Sequence, residues 1–258
     1  MQTVMIGAGN VAVHLSKALQ EKGNPVVQVY SRSAPSAAAL AGMLDTDYTT
    51  SVRELRRDAE LYVMAVSDDA VPEVLSTLPL TEQLIVHTAG SVPIGVFDKK
   101  MHNYGVLYPL QSFSKQHAVD LSGVPVFLEA NTPSNLKILW DVAEKIFSEV
   151  YEATSEKRLL LHVAAVFASN FTNSLYGVAA QLLQTSGFAF DVLCPLVMET
   201  ARKAAASGNP VHVQTGPARR NDQNVLCKHI ELLAAYPQWQ QLYLQLSETI
   251  KNQHRGKD

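Results

Sequence analysis

Three groups of residues in this chain have types and spacings suited to chemistry, and the first lies near its start. Gly7-Ala8-Gly9-Asn10-Val11-Ala12 follows an apolar, β-branched run and opens a helix-like stretch. In such a GxGxxA turn the first glycine makes the tight bend, the second lets a pyrophosphate reach the backbone, and the small Ala12 lets helix and strand pack closely. The helix N-terminus adds free N–H groups and about half a positive charge. Gly7, Gly9, Asn10 and Val11 are therefore expected to hold the phosphates of a dinucleotide. A glycine-rich turn without a ligand is the bland alternative.

The second group decides which dinucleotide. At the end of the second strand an NAD-binding turn places an Asp or Glu on the ribose hydroxyls; here Val29-Tyr30 runs into Ser31-Arg32-Ser33. A guanidinium between two hydroxyls suits a 2′-phosphate, so NADP(H) is expected over NAD(H). The loops after later strands, Val66-Ser67-Asp68 and Thr88 with Ser91, belong at the ligand crevice of a doubly wound sheet. Asp68 and Asp69 read equally as N-caps of the helix that follows, and His87 as a buried core histidine.

The third group lies on a long apolar helix. At about 100° per residue, His162, Ser169 and Asn173 share one stripe, with Asn170 flanking it. Buried polar groups cost ~1–3 kcal/mol each when unpaired, so the stripe implies either an internal hydrogen-bond network or a cleft. Facing a cleft, His162 is the natural proton donor, because imidazole ordinarily titrates near ~6.5. Asn170 and Asn173 would orient substrate oxygens. Tyr108, Gln111, Glu199, Lys203 and Arg219 are the candidate substrate contacts; Glu199 and Lys203 also read as a plain i,i+4 pair, and Asp222 as a helix cap.

The elements that must position these groups alternate in the first half of the chain. Strand-like runs at residues 3–6, 26–30, 61–66, 84–87, 104–107 and 124–129 are separated by helical stretches at 11–21, 33–41, 51–55 and 69–78. This is the pattern of βαβ units and a mainly parallel sheet. From about residue 135 helical periodicity takes over, with helices at 135–147, 155–183, 192–207, 222–235 and 239–251, a loop at 208–222 and a frayed tail at 253–258. The expectation is an α/β fold: a doubly wound Rossmann domain over 1–153 and an all-α domain for substrate and dimerisation over 154–258. The 155–183 helix is too apolar to be covered easily within one such chain, which implies a homodimer through the C-terminal helices.

Composition narrows the partners. With 47% hydrophobic and 17% charged residues the 258-residue chain has the make-up of a globular protein. Its net charge of −3 supplies no global field for nucleic acid or anionic membrane. Cys194 and Cys227 have no metal-ligand spacing, so no metal site and no disulfide framework is expected. No apolar run reaches the ~18–20 residues of a membrane span. A soluble cytoplasmic protein acting on a small molecule is the expectation.

Taken together, Gly7-Ala8-Gly9, Ser31-Arg32-Ser33, Ala65-Val66-Ser67-Asp68, His87-Thr88-Ala89-Gly90-Ser91, Gly105-Val106-Leu107-Tyr108-Pro109-Leu110, Asn170-Phe171-Thr172-Asn173 and Thr215-Gly216-Pro217-Ala218-Arg219 carry a resemblance over nearly the whole chain. The sequence resembles a two-domain family that joins a Rossmann-like domain to a C-terminal domain of unknown function 2520. Its wider superfamily contains 6-phosphogluconate dehydrogenase, ketopantoate reductase, pyrroline-5-carboxylate reductase, prephenate dehydrogenase and deazaflavin-dependent NADP oxidoreductase. The resemblance implies a hydride-transfer fold dimerising through its helical domain, and no particular substrate. Two departures matter. The lysine that β-hydroxyacid dehydrogenases place four residues before an Asn is Val166 or Ser169 here, and the His-Pro of prephenate dehydrogenases is Tyr108-Pro109. The function expected is an NADP(H)-dependent oxidoreductase acting on a carbonyl or imine of a small carboxylate-bearing metabolite. The alternatives are a non-catalytic NADP(H) sensor or a Rossmann protein for another nucleotide.

Overall fold

The computed structural model describes residues 1–97 and 99–255, which form two compact units, Met1–Asn170 and Phe171–Asp258. The first is built on a sheet of β1 (Thr3–Ile6), β2 (Val26–Tyr30), β3 (Asp47–Thr49), β4 (Leu61–Met64), β5 (Leu84–His87), β6 (Tyr104–Pro109), β7 (Pro125–Ala130) and β8 (Glu149–Glu152). Their order is β3-β2-β1-β4-β5-β6-β7-β8. All neighbours pair in parallel except β6 and β7. The chain order reverses between β1 and β4, the switch point where such sheets bind ligands.

Side chains alternate across the sheet and divide the core into two layers. Met5, Val29, Val63, Val86 and Leu107 face α1 (Asn10–Glu21), α2 (Ala34–Leu44) and, further along the sheet, α4 (Pro133–Ala143). Val4, Ile6, Tyr62, Met64 and Ile85 face the opposite side, covered by α3 (Val71–Thr77) and the connections around it. Because both faces are covered, the central strands read as unbroken apolar runs.

The edge strands β3 and β8 are additions to the sequence reading. Asp47-Tyr48-Thr49 and Glu149-Val150-Tyr151-Glu152 carry polar, exposed residues with no apolar run to announce them. The fourth strand ends at Met64 rather than at residue 66, because Ala65-Val66-Ser67 leaves the ladder to wall a cleft. The helix expected at 51–55 is a single 3₁₀ turn, Val52–Glu54.

The long helix expected at 155–183 is interrupted. It begins as α5 (Ser155–Ala165), becomes a π-helical turn at Val166–Phe171, and resumes as α6 (Thr172–Gln184). A π turn adds a residue to the repeat and shifts the phase of everything after it. The ideal 100° wheel therefore holds for His162 and fails beyond Val166.

The second unit contains α6, α7 (Cys194–Ala206), α8 (Gln223–Leu232) and α9 (Pro237–His254). Asp222 caps α8 by accepting the Val225 N–H at 3.2 Å, as its position suggests. The tail expected at 253–258 is helical to His254, and Gly256, Lys257 and Asp258 lie outside the described residues. Among the described residues, no helix is long and apolar enough to cross a membrane.

Candidate active site

The glycine turn behaves as its sequence suggests. Gly7 has φ +112°, and a Cβ there would stand 2.2 Å from the Ala65 carbonyl oxygen, so only glycine fits between β1 and the end of β4. A Cβ on Gly9 would meet nothing within 4 Å; it points into open space. No side chain caps the start of α1 and no acidic residue stands in its first turn, leaving its N–H groups for an anion. A cleft of about 410 Å³ opens here, lined by Gly7, Gly9, Asn10, Val11, Ser31, Arg32, Ser33, Val66 and Ser67 among others. A glycine cradle, an uncapped helix end and a hydroxyl-flanked arginine on one cleft fit a phosphorylated dinucleotide.

Two neighbours differ from expectation. The turn after β2 carries no acidic residue, but the fold brings Glu73 of α3 to 3.6 Å from Arg32, an exposed pair of little energy that a 2′-phosphate would have to displace. Asp68 caps no helix; its carboxylate accepts from both the N–H and the hydroxyl of Ser91, joining the loops after β4 and β5. Thr88 is buried and turned back onto the Met64 carbonyl.

A second cleft, about 430 Å³, lies in the same unit and is lined by Tyr108, Leu110, Gln111, Ser112, His162, Val166, Ser169 and Asn170 among others. Its centre is a pair: the Tyr108 hydroxyl lies 3.1 Å from His162 Nδ1, with the rings edge to face. Burial pushes the Tyr108 phenol up, the Asp68 charge adds to this, and Arg158 opposes it. The phenol therefore keeps its proton, and as a hydroxyl it can donate to Nδ1 or accept from an Nδ1–H. With Nδ1 bare, His162 accepts from Tyr108 and carries its hydrogen on Nε2; when charged, both nitrogens carry one and Nδ1–H donates to the Tyr108 oxygen. Nε2 is a donor in both of these states, and once it has given up its proton in the charged form the ring keeps the Nδ1–H. Gly90 is pressed against this pair, since a Cβ on it would sit 2.7 Å from His162 Nδ1 and 2.8 Å from Tyr108 Cζ. A chain of contacts runs from this pair to Gly90, from its neighbour Ser91 to Asp68, and so to Ser67 of the first cleft.

α5 is anchored by a buried ion pair. Arg158, 1% exposed, donates to Glu129 of β7, to the Val92 carbonyl at 2.6 Å and to Ser155 Oγ at 3.3 Å. Glu129 also accepts the Ser155 N–H and hydroxyl at 3.0 and 2.9 Å, closing the first turn of α5. One turn later on the same face stands His162.

At the end of β5, His87 is fully buried and accepts the Ala89 N–H at Nδ1. Desolvation, with the nearby Arg158 charge, pushes it down to about 3. It is neutral in the fold and has no role as a charged catalyst. Its folded value lies below the ordinary ~6.5, so its stabilising neutrality is complete above that value and is lost as pH falls toward 3. The protein should lose about 2 kcal/mol of stability from this residue between pH 7 and pH 5. In urea titrations His87→Asn, which keeps an acceptor for Ala89, should flatten that slope; an unchanged slope would refute the assignment.

Asn173, Glu199, Lys203 and Arg219 lie in the second unit. Glu199 pairs with Lys203 at 3.2 Å and with Arg202 at 2.8 Å, and Arg219 donates to the Gln214 carbonyl at 3.0 Å. Sequence reasoning missed Glu129 and Arg158. The only hint was an arginine in the first turn of a helix otherwise read as apolar. It also named Gly90 without assigning it a role.

A mostly parallel sheet with this order, and a glycine turn opening at its switch point, define a dinucleotide-binding Rossmann-type protein. Residues 2–90 match the family profile described as NADP oxidoreductase, coenzyme F420-dependent, and residues 124–250 match the domain of unknown function 2520. A solved structure from Bacteroides fragilis, titled as a presumptive NADP oxidoreductase, is 44% identical, with 97% of this chain and 98% of that one covered and a TM-score of 0.91. The chain belongs to this family of NADP oxidoreductase-type proteins with a C-terminal domain of unknown function 2520. A pyrroline-5-carboxylate reductase of Pseudomonas aeruginosa is 34% identical over 93 residues, 34% of each protein, so the match spans about a third of that curated relative. A reductive aminase from Aspergillus terreus, solved with NADPH and ethyl-5-oxohexanoate, shares the fold at 14% identity, with 98% of this chain and 93% of that one covered and a TM-score of 0.71.

Proposed function

We propose that this protein is an NADP(H)-dependent oxidoreductase that transfers hydride to or from a carbonyl or imine carbon of a small carboxylate-bearing metabolite. The observation that carries this reading is the Tyr108–His162 pair on a cleft of the same unit as the glycine turn. A bound reduced nicotinamide would supply the hydride. His162 would give its Nε2 proton to the substrate oxygen or nitrogen, so that C=O becomes CH–OH or C=N becomes CH–NH. The remaining Nδ1–H then donates to the Tyr108 oxygen, which holds the ring in place. Gln111 and Asn170, which line the cleft, would orient polar groups of the substrate.

The phosphates belong to Gly7, Gly9, Asn10 and Val11, and the 2′-phosphate to Arg32 between Ser31 and Ser33, with Val66, Ser67, Asp68, Thr88 and Ser91 supporting the ribose and nicotinamide side. In the region from residue 154 onward, Asn173, Glu199, Lys203 and Arg219 are the further candidate substrate contacts. Its helices would also join two subunits: Leu160, Phe167, Leu196 and Met198 are more than 60% exposed.

Calorimetry tests the cofactor. NADPH should bind more tightly than NADH, and Arg32→Ala should cost NADPH about tenfold in affinity while leaving NADH nearly unchanged. Equal loss for both nucleotides would defeat the 2′-phosphate assignment. Activity is tested by NADPH oxidation with keto acids, aldehydes and cyclic imino acids, 1-pyrroline-5-carboxylate among them. Tight binding with no turnover would favour the sensor reading, to which the missing helix lysine also points.

A further inference from the structure

We propose that Asn10 and His14 transmit occupancy of the glycine turn to the second cleft, acting as positioning residues for its Gln111–Ser112 wall. The inference rests on the NADP(H) reading above and deepens it. Asn10 and His14 stand one turn apart on the same face of α1, immediately after Gly9. Asn10 Nδ2 donates to the Phe113 carbonyl at 2.9 Å. His14 Nε2 bonds the Ser114 carbonyl at 2.9 Å, and its ring packs 5.3 Å from the Phe113 ring.

The segment they hold leaves β6 just after Tyr108 and has no helix or strand of its own between Pro109 and Leu121. Among the described residues, these two side chains make the hydrogen bonds that tie residues 113–119 to the rest of the unit. Gln111 and Ser112, at its start, line the second cleft. Asn10 thus has two ends with two tasks. Its backbone opens the helix that faces the phosphates, and its amide grips a loop that shapes the neighbouring cleft.

An anion seated on the N–H groups of Gly9, Asn10 and Val11 restricts the first turn of α1. Any restriction of Asn10 and His14 is passed to the Phe113 and Ser114 carbonyls, and so to residues 111–114. By linkage the effect is mutual: a well-ordered loop favours the bound cofactor. Seating the phosphates on the glycine turn and ordering the substrate wall are thus two sides of one coupling.

Hydrogen exchange on the whole protein tests this with NADPH as the probe. In the wild type, NADPH should slow exchange of the amides at 111–117 by about tenfold. In His14→Ala the same NADPH, at saturation, should leave those amides nearly as fast as without it. His14→Gln, whose amide can donate to the Ser114 carbonyl, should restore the protection. Should His14→Ala fold poorly, Asn10→Ala serves with the same readout. A merely structural strut predicts loop protection in the wild type that NADPH does not change, and that result overturns the coupling. Protection that persists in both variants overturns it as well. Absence of NADPH binding in calorimetry defeats the cofactor reading itself, and the coupling with it.

Discussion

Glu129→Ala is expected to lower the unfolding free energy by about 3–5 kcal/mol, a large part of the ~5–15 kcal/mol that a domain possesses. The loss comes from what the substitution leaves behind. Arg158 is 1% exposed, and its guanidinium would keep the Val92 carbonyl and Ser155 hydroxyl but no countercharge. The N–H and hydroxyl of Ser155, at the start of α5, would lose their acceptor in the same step. Replacing both partners by apolar residues, Glu129→Leu with Arg158→Met, should recover most of the loss, because no buried charge then remains. Urea midpoints of the three proteins decide the matter. A loss below about 1 kcal/mol for Glu129→Ala would mean that water reaches Arg158 and that the pair is not a buried anchor.

The same pair shows why part of the site was hidden in the sequence. The glycine turn was legible because its function is local: strand, turn and helix are consecutive, and Gly7 and Gly9 are needed for backbone geometry that no other residue supplies. The central strands were legible because burial on both faces writes a continuous apolar run. Glu129 and Arg158 are separated by 29 positions, and nothing in either neighbourhood names the other as its partner. Glu73 pairs with Arg32 from 41 positions away for the same reason: a contact made by topology leaves no local spacing to read.

The polar stripe on the long helix was legible in part. His162 lies before the π turn at Val166–Phe171, and Ser169 and Asn170 join it on the second cleft. A wheel drawn at a constant 100° cannot include the extra residue of that turn, so the phase assigned to Asn173 does not survive it. The partner of His162 was visible as a residue and not as a pairing. Tyr108 was a candidate substrate contact, and only the return of α5 over the end of β6 turns it into the group that fixes the imidazole.

That pairing leads to the second large effect. His162→Gln should lower kcat/KM for the best panel compound by about 10²–10⁴, the usual worth of a positioned proton donor. Gly90→Ala should approach the same loss without touching His162 chemically. The backbone at Gly90 is not left-handed, so alanine is tolerated by the chain; what is not tolerated is its methyl group, 2.7 Å from Nδ1 and 2.9 Å from Cγ of the imidazole. Either ring must move to relieve the overlap, and the Tyr108–His162 hydrogen bond breaks. The cost to folding is that of an overpacked site, ~1–3 kcal/mol, so the variant should remain folded and should still bind NADPH at the glycine turn. If Gly90 acts through the pair, the double variant Gly90→Ala/His162→Gln will be scarcely worse than His162→Gln alone. Additive losses would place Gly90 in a separate role. A His162→Gln enzyme that keeps more than half its kcat/KM would remove the imidazole from the chemistry and leave the proton to a water held by Asn170.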